Sequence, residues 1–184
     1  MFQIFSDLIL HKRVKFEEGN VKFFEKNVVI FPAEYMVLLQ KGLEEKGLEN
    51  LIYQKAKANG ISWFRNLNNY YKISPEDIFK WGVNTLALAG WGKTEVLNVD
   101  REKKEVSLLV KHSVIAEEYG KSDHPVDHFI RGSFAGGATI LFGEECDTIE
   151  LKCLAMGDSE CEFKVKASVN IDKTNEIVKK QLGL

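Results

Sequence analysis

Arginine is scarce in this chain of 184 residues: Arg13, Arg65, Arg101 and Arg131 stand among 25 basic residues, and lysine supplies the rest. Set against 27 acidic residues, these leave a formal net charge of -2. That balance excludes the strongly basic surface by which a domain binds nucleic acid through charge. Lysine and glutamate enrichment at the expense of arginine is a pattern of hyperthermophiles and says nothing about activity. Cysteine is equally sparse, with Cys146, Cys153 and Cys161 only. No small-residue cleavage pattern follows the apolar start MFQIFSDLIL, so a reducing, cytoplasmic setting is expected in place of a disulfide framework. The same run is too short and too polar for a membrane span. Also missing are a G-x-G-x-x-G after a strand, a C-x-x-C-H and any iron–sulfur spacing, the motifs that would bring nicotinamide, attached haem or a cluster to the chain.

What is present is an apolar content of 45% without repeats, linkers or low-complexity tracts, which predicts one compact domain over residues 1–184. RVKFEEGNVKFFEKNVVIFP alternates apolar and polar residues around Gly19-Asn20 and Lys26-Asn27, the pattern of two or three short antiparallel strands closed by Pro32. From Ala33 to Lys46, Met36, Val37, Leu39 and Leu43 recur at helical spacing, with Gly47 as a stop. A second helix is predicted from about Leu48 to Asn66, with Leu51, Ile52, Ala56 and Phe64 inward and Gly60 as a break. NLNNYYKI then reads as a polar connector. Ser74, Pro75 and Asp77 form an N-terminal box for a third helix that stops near Gly90.

The stretch GKTEVLNVDREKKEVSLLVKHS reads as a hairpin turning at DREKK. A further helix is predicted to begin at Ser122 or Asp123, with Pro125 in its first turn and Gly143 at its end. Gly132 and Gly136 share one face of it. Because each costs roughly 1 kcal/mol against alanine, they imply tight packing, on the sheet, or a close-lying ligand. IELKCLAMGDSECEFKV makes a last hairpin, and KTNEIVKKQLG a short terminal helix. The order of elements is that of an α+β fold with an antiparallel sheet and helices packed on it.

In that last hairpin Cys153 and Cys161 each lie four residues from Gly157. Directly opposed partners have Cβ atoms about 4.5–5.5 Å apart, near enough to share a tetrahedral metal, to oxidise or to pack as small hydrophobes. Further donors at hand are Glu150, Cys146, Asp127, His124 and His128. Glu150 and Cys153 are an odd number of residues apart, so a regular strand would point them to opposite faces. A bulge is required if both are to reach one ion.

Glu150, Cys153, Gly157, Cys161 and Phe163 spell E-x2-C-x3-G-x3-C-x-F behind the glycine-bearing helix HFIRGSFAGGATILFG. This stretch resembles the 4-vinyl reductase domain, and NVVIFPAEYMVLLQKGLEEKGLENLIYQKAKANG resembles the same family less specifically. The resemblance implies the fold of ligand-binding domains in nitric-oxide signalling and Golgi transport, shared with vesicle-tethering subunits of the TRAPP complex and with haem-based sensors. In aromatic-sensing relatives the glutamate and both cysteines bind zinc together with a third cysteine at the start of the glycine helix. Carried over, Glu150, Cys153 and Cys161 are ligands of a structural zinc. Five residues before Gly132, where that third cysteine belongs, stands Asp127, with His128 beside it.

The resemblance implies a small-molecule binding or sensing domain for an apolar or aromatic ligand. Trp81, Phe129, Phe134 and Phe142 are the candidate pocket residues, chosen from twelve phenylalanines and three tryptophans that include Trp63 and Trp91. No ATPase or DNA-binding segment lies within the 184 residues, so output is expected to pass through a homodimer or an unidentified protein partner, with no nucleic acid and no membrane span involved. Two alternatives stand beside this reading. One is a reductase or accessory protein of tetrapyrrole vinyl reduction, for which His112 or His124 is available to haem. The other is a protein-interaction scaffold.

Overall fold

The structure, a computed structural model, describes residues 14–23, 26–72 and 74–184; the apolar start of the chain lies outside them. The chain forms two compact units, Met1–Pro32 and Ala33–Leu184. In the first, β1 (Val14–Glu17), β2 (Asn20–Phe23) and β3 (Lys26–Val28) make an antiparallel meander in the order β1-β2-β3. Gly19 at φ 75° turns β1 into β2. Lys26 and Asn27, read from the sequence as a turn, are paired instead with Phe23 and Lys22 inside β3.

The second unit holds six helices and a four-stranded sheet. The helices are α1 (Ala33–Glu44), α2 (Glu49–Tyr71), α3 (Pro75–Leu88), α4 (Val114–Tyr119), α5 (His128–Phe142) and α6 (Glu176–Leu182). The strands are β4 (Lys93–Asp100), β5 (Glu105–Lys111), β6 (Cys146–Lys152) and β7 (Cys161–Ala167), all antiparallel in the order β4-β5-β7-β6. In β7 the buried residues Cys161, Phe163, Val165 and Ala167 alternate with half-buried ones, so one face packs inward and the other meets solvent. The α+β class with an antiparallel sheet, predicted from the sequence, is the observed one. No described helix is long and apolar enough to cross a membrane.

Eleven of the fifteen residues of α5 are buried, which its nearly continuous apolar run requires. One side of the helix lies on the sheet, where Phe134 meets Phe163 edge to face at 5.3 Å. The glycine side lies on another helix, not on the sheet as expected. A Cβ at Gly132 would land on the Tyr53 carbonyl oxygen, and one at Gly136 on the Lys57 carbonyl oxygen, both of α2. On α2, Gly60 faces the Ser133 carbonyl across the same seam. Gly60 therefore marks close approach of two backbones, and α2 runs through it unbroken.

NLNNYY likewise continues α2 to Tyr71, where Lys72 takes a left-handed conformation and its N–H caps the Asn68 carbonyl. Leu67 is buried by that extra length, an apolar gain that outweighs the polar neighbours. The inward set of α2 is Tyr53, Ala56, Phe64 and Leu67, while Leu51 is exposed. On α1 the buried positions are Val37 and Gln40, and Leu39 points outward. The Ser74 cap holds as read: its Oγ accepts from the Asp77 N–H at 3.1 Å.

The helix expected from Ser122 begins only at His128. Ser122 Oγ accepts from the His124 N–H at 3.2 Å, a local turn in place of a helix cap, and His124, as the residue before Pro125, is disfavoured in helical conformation. The segment stays non-helical because its partners lie elsewhere: Ser122 N–H donates to the Ala155 carbonyl at 2.8 Å. At the other end of the unit, α6 is joined to β6 by one side chain. Gln181 Oε1 accepts from the Glu150 N–H at 2.9 Å, and its Nε2 donates to the Glu150 carbonyl at 2.8 Å.

Two outcomes check this packing. Gly136→Ala is expected to destabilise the protein by about 1–3 kcal/mol, since its methyl must displace backbone. Gly42→Ala on α1, with no described atom within 4 Å, is expected to stabilise by about 0.5–1 kcal/mol; urea unfolding of both variants decides, and equal effects would refute the seam. Gln181→Ala strands a buried N–H and C=O of Glu150 and is expected to cost about 1–3 kcal/mol in the same measurement.

Candidate metal centre

Four buried acidic groups meet where the start of α5 faces the β6–β7 connection: Asp127, Glu150, Cys153 and Cys161, with one ligand atom from each within 4.8 Å of the others. Glu150 points inward because the inward residues of β6 alternate from Cys146 through Thr148. Cys153 follows the strand's end and opens a 3-10 turn, residues 154–156, that closes at Gly157 with φ 98°. The register between β6 and β7 slips between Glu150 and Lys152. This is the bulge that period-two alternation required, and through it Glu150 and Cys153 face one point.

The two cysteines are not the directly opposed pair expected from their symmetry about Gly157. Lys152 pairs with Glu162, and Cys161 pairs on its other side with Val110 of β5. They meet because the turn folds back: Leu154 N–H donates to Cys161 Sγ at 3.3 Å, and Cys153 N–H to Asp158 Oδ2 at 2.8 Å. All three cysteines are free thiols. Cys146 lies apart, its thiol pushed by burial up to about 12.

Asp127 occupies the N-cap position of α5, yet its side chain makes no cap bond. Ser113 Oγ donates to Asp127 Oδ1 at 2.7 Å, and the Asp127 N–H donates to Glu150 Oε2 at 3.1 Å. The remaining oxygens, Asp127 Oδ2 and Glu150 Oε1, are buried and have no hydrogen-bond partner among the described residues. A buried carboxylate oxygen without a partner is costly unless a cation or proton meets it.

The electrostatics describe the same shortage of positive charge. Burial pushes the Asp127 carboxyl up to about 6, against the hydrogen bond from Ser113. Burial and then the Asp127 charge push Glu150 well above the carboxylate range. The hydrogen bond from Cys161 draws Cys153 down to about 6, and that bond together with burial holds Cys161 above the usual thiol value. The nearby cation is Arg131, 1% exposed, which donates to the Thr148 carbonyl at 3.3 Å and to His128 Nδ1 at 3.1 Å. It also stands over the Tyr53 ring at 4.7 Å.

His128, weighed in the sequence as a neighbour of Asp127 at the metal, points the other way. Its Nε2 lies 3.1 Å from Glu44 Oε1, in a group that also includes His124. His112 is exposed and pairs with Glu117 at 3.1 Å. Of the pocket candidates, Phe134 is fully buried against Phe163. Phe129 stacks on Trp91 at 4.4 Å, and Trp81 and Phe142 are half-buried. Phe142 lies thirteen residues beyond Phe129 on α5, about 20 Å along the axis. Arg131, Ser113, Gln181 and Glu44 were not singled out from the sequence. Arg131 carried a signal: one of four arginines, it sits in the middle of an apolar, glycine-bearing helix.

Comparison with solved structures shows the fold. The phenol-responsive sensory domain of the transcription activator PoxR, solved with phenol, superimposes with a TM-score of 0.77 at 17% identity, over 94% of this chain and 94% of that one. A trafficking protein particle complex subunit 3 from Naegleria fowleri, covalently bound to palmitic acid, gives 0.51 at 14% identity, over 73% and 93%. A vinyl-4-reductase family protein from Methanocaldococcus jannaschii gives 0.50 at 21% identity, over 76% and 83%. No curated protein matches the sequence. Over residues 106–167, from β5 to the end of β7, the chain matches the 4-vinyl reductase domain family, the relationship implied by its glutamate-and-cysteine motif.

Proposed function

We propose that the protein is a zinc-stapled sensing domain that binds a small apolar or aromatic molecule. The observation that carries the staple is the buried cluster of Asp127, Glu150, Cys153 and Cys161, with two carboxylate oxygens lacking any partner among the described residues. Two thiolates and two carboxylates suit tetrahedral zinc, and four protein donors make a closed, structural site. Bound there, zinc supplies the positive charge that Arg131 alone does not, and joins the turn after β6, the start of β7 and the start of α5. Asp127 then stands as the fourth ligand, ahead of His128 and His124.

The sensing role is supported by the match to the 4-vinyl reductase domain family and by the fold shared with the phenol-responsive domain of PoxR. Trp81, Phe129, Phe134 and Phe142 are the proposed ligand-facing residues. The whole chain works as one cytoplasmic module, and its signal passes to a second copy or to a protein partner. The exposed side chains of Leu38 and Leu39 on α1, and of Leu48 and Leu51 around the start of α2, favour such a contact. A reductase role has no comparable support from the arrangement of side chains.

Native protein purified without chelator or histidine tag is expected to hold about one tightly bound zinc per chain. Cys153→Ser or Cys161→Ser is expected to lower zinc content and to cost roughly 3–5 kcal/mol of stability, the range for leaving buried charges uncompensated. Zinc-free protein with unchanged melting in both variants would sink the staple. For the ligand, titration with phenol and with monocyclic aromatic hydrocarbons is expected to change tryptophan fluorescence saturably, and Trp81→Phe to diminish the change. A flat response across such compounds would refute the aromatic-sensing role while leaving the zinc result standing.

A further inference from the structure

The segment 122–128 presents Asp127 to the thiols on one side, and His124 and His128 to Glu44 on the other. His128 Nε2 lies 3.1 Å and His124 Nε2 3.9 Å from the same Glu44 oxygen, Oε1. One ligand atom from each of the three residues falls within 4.8 Å of the others. His124 is held by its second nitrogen, since Nδ1 lies 2.7 Å from Asp123 Oδ1. A carboxylate only accepts, so Nδ1 carries the proton and Nε2 turns a bare lone pair toward the Glu44 carboxylate. Two acceptors facing one another require a cation between them. Carboxylate, imidazole and an aimed Nε2 form the arrangement that orients histidine ligands at metal sites.

The three residues line a cleft of about 190 Å³ together with Glu49, Pro125, Lys180 and Gln181. Glu49 Oε2 is buried there and has no hydrogen-bond partner among the described residues. Glu44 itself is kept ionised: burial would raise it, but the bonds from His128, Tyr119 and Gln40 outweigh burial and hold it at about 2.

We propose that Glu44, His124 and His128 form a second site, for a divalent transition-metal ion, separate from the thiolate cluster and open to the cleft. Two imidazoles and one carboxylate suit zinc, cobalt, nickel or iron, and three protein donors leave a coordination position for water or a small ligand. Binding changes the tautomer of His128. Arg131 Nη2 donates to Nδ1, and Nε2–H donates to Glu44; a metal on Nε2 moves that proton to Nδ1 and opens the contact with Arg131. The site therefore binds more weakly than the preformed thiolate cluster.

The test is titration of tag-free, full-length protein, as purified, with cobalt(II). About one equivalent is expected to bind beyond any metal already held, with visible ligand-field bands and no near-ultraviolet thiolate charge-transfer band. His124→Ala is expected to weaken this uptake by about tenfold or more without changing the melting temperature, whereas His112→Ala leaves it unchanged. Glu44→Gln gives a second reading if it folds as wild type does. Undiminished uptake in His124→Ala, no uptake by the wild type, or a thiolate band accompanying the added cobalt would each overturn the site. Because the signal carries no sulfur signature, failure here is distinguishable from failure of the zinc staple.

Discussion

The contact between the backbones of α2 and α5 is the constraint from which the rest of the arrangement follows. With no Cβ at Gly132 or Gly136, α5 comes down onto the carbonyls of Tyr53 and Lys57. A helix so closely held cannot tilt to suit its own ends. Its first residues are carried to the β6–β7 connection, and its outer side is pressed to the sheet through Phe134 and Phe163. Tyr53 adds a polar pin along the same line, since its hydroxyl donates to Asp147 Oδ1 at 2.7 Å and accepts from the Thr148 N–H at 3.2 Å. The placement of Asp127 opposite Glu150 is thus a consequence of helix packing, and the chemistry is local to it.

What the packing brings together is electrically unbalanced. Four acids share one buried volume with a single guanidinium at its edge, and their protons cannot all leave unless a cation enters. Arg131 serves both sides of the segment 122–128, through Coulombic attraction to Glu150 and Asp127 and by its hydrogen bond to His128. It is a lone fixed charge around which two clusters of titratable groups are disposed.

Much of this could be read in the sequence, and the parts that could not share a physical cause. Strand alternation, the Ser74 cap, the Gly143 stop and the Glu150, Cys153, Gly157, Cys161 pattern are short-range signals, and each holds in the structure. Even the bulge was legible, as a parity conflict between Glu150 and Cys153. Misreadings arose where distant partners decided: Gly60 looked like a break because α5 is 72 residues away from it, counted to Gly132. Ser122 looked like a cap because nothing nearby shows its segment bound to Ala155. Glu44 carried no mark, since its role depends on residues about 80 positions further along.

The side chain of Gln181 has a consequence for how this molecule behaves in a crowd. Among the described strands β6 lies at an edge of the four-stranded sheet, and an edge offers its free peptide groups to any passing strand. By taking both the N–H and the C=O of Glu150, Gln181 stands in for one residue of a fifth strand. The chain's last helix thus closes that stretch of the edge with a single amide, and a neighbouring molecule finds no template there on which to add itself.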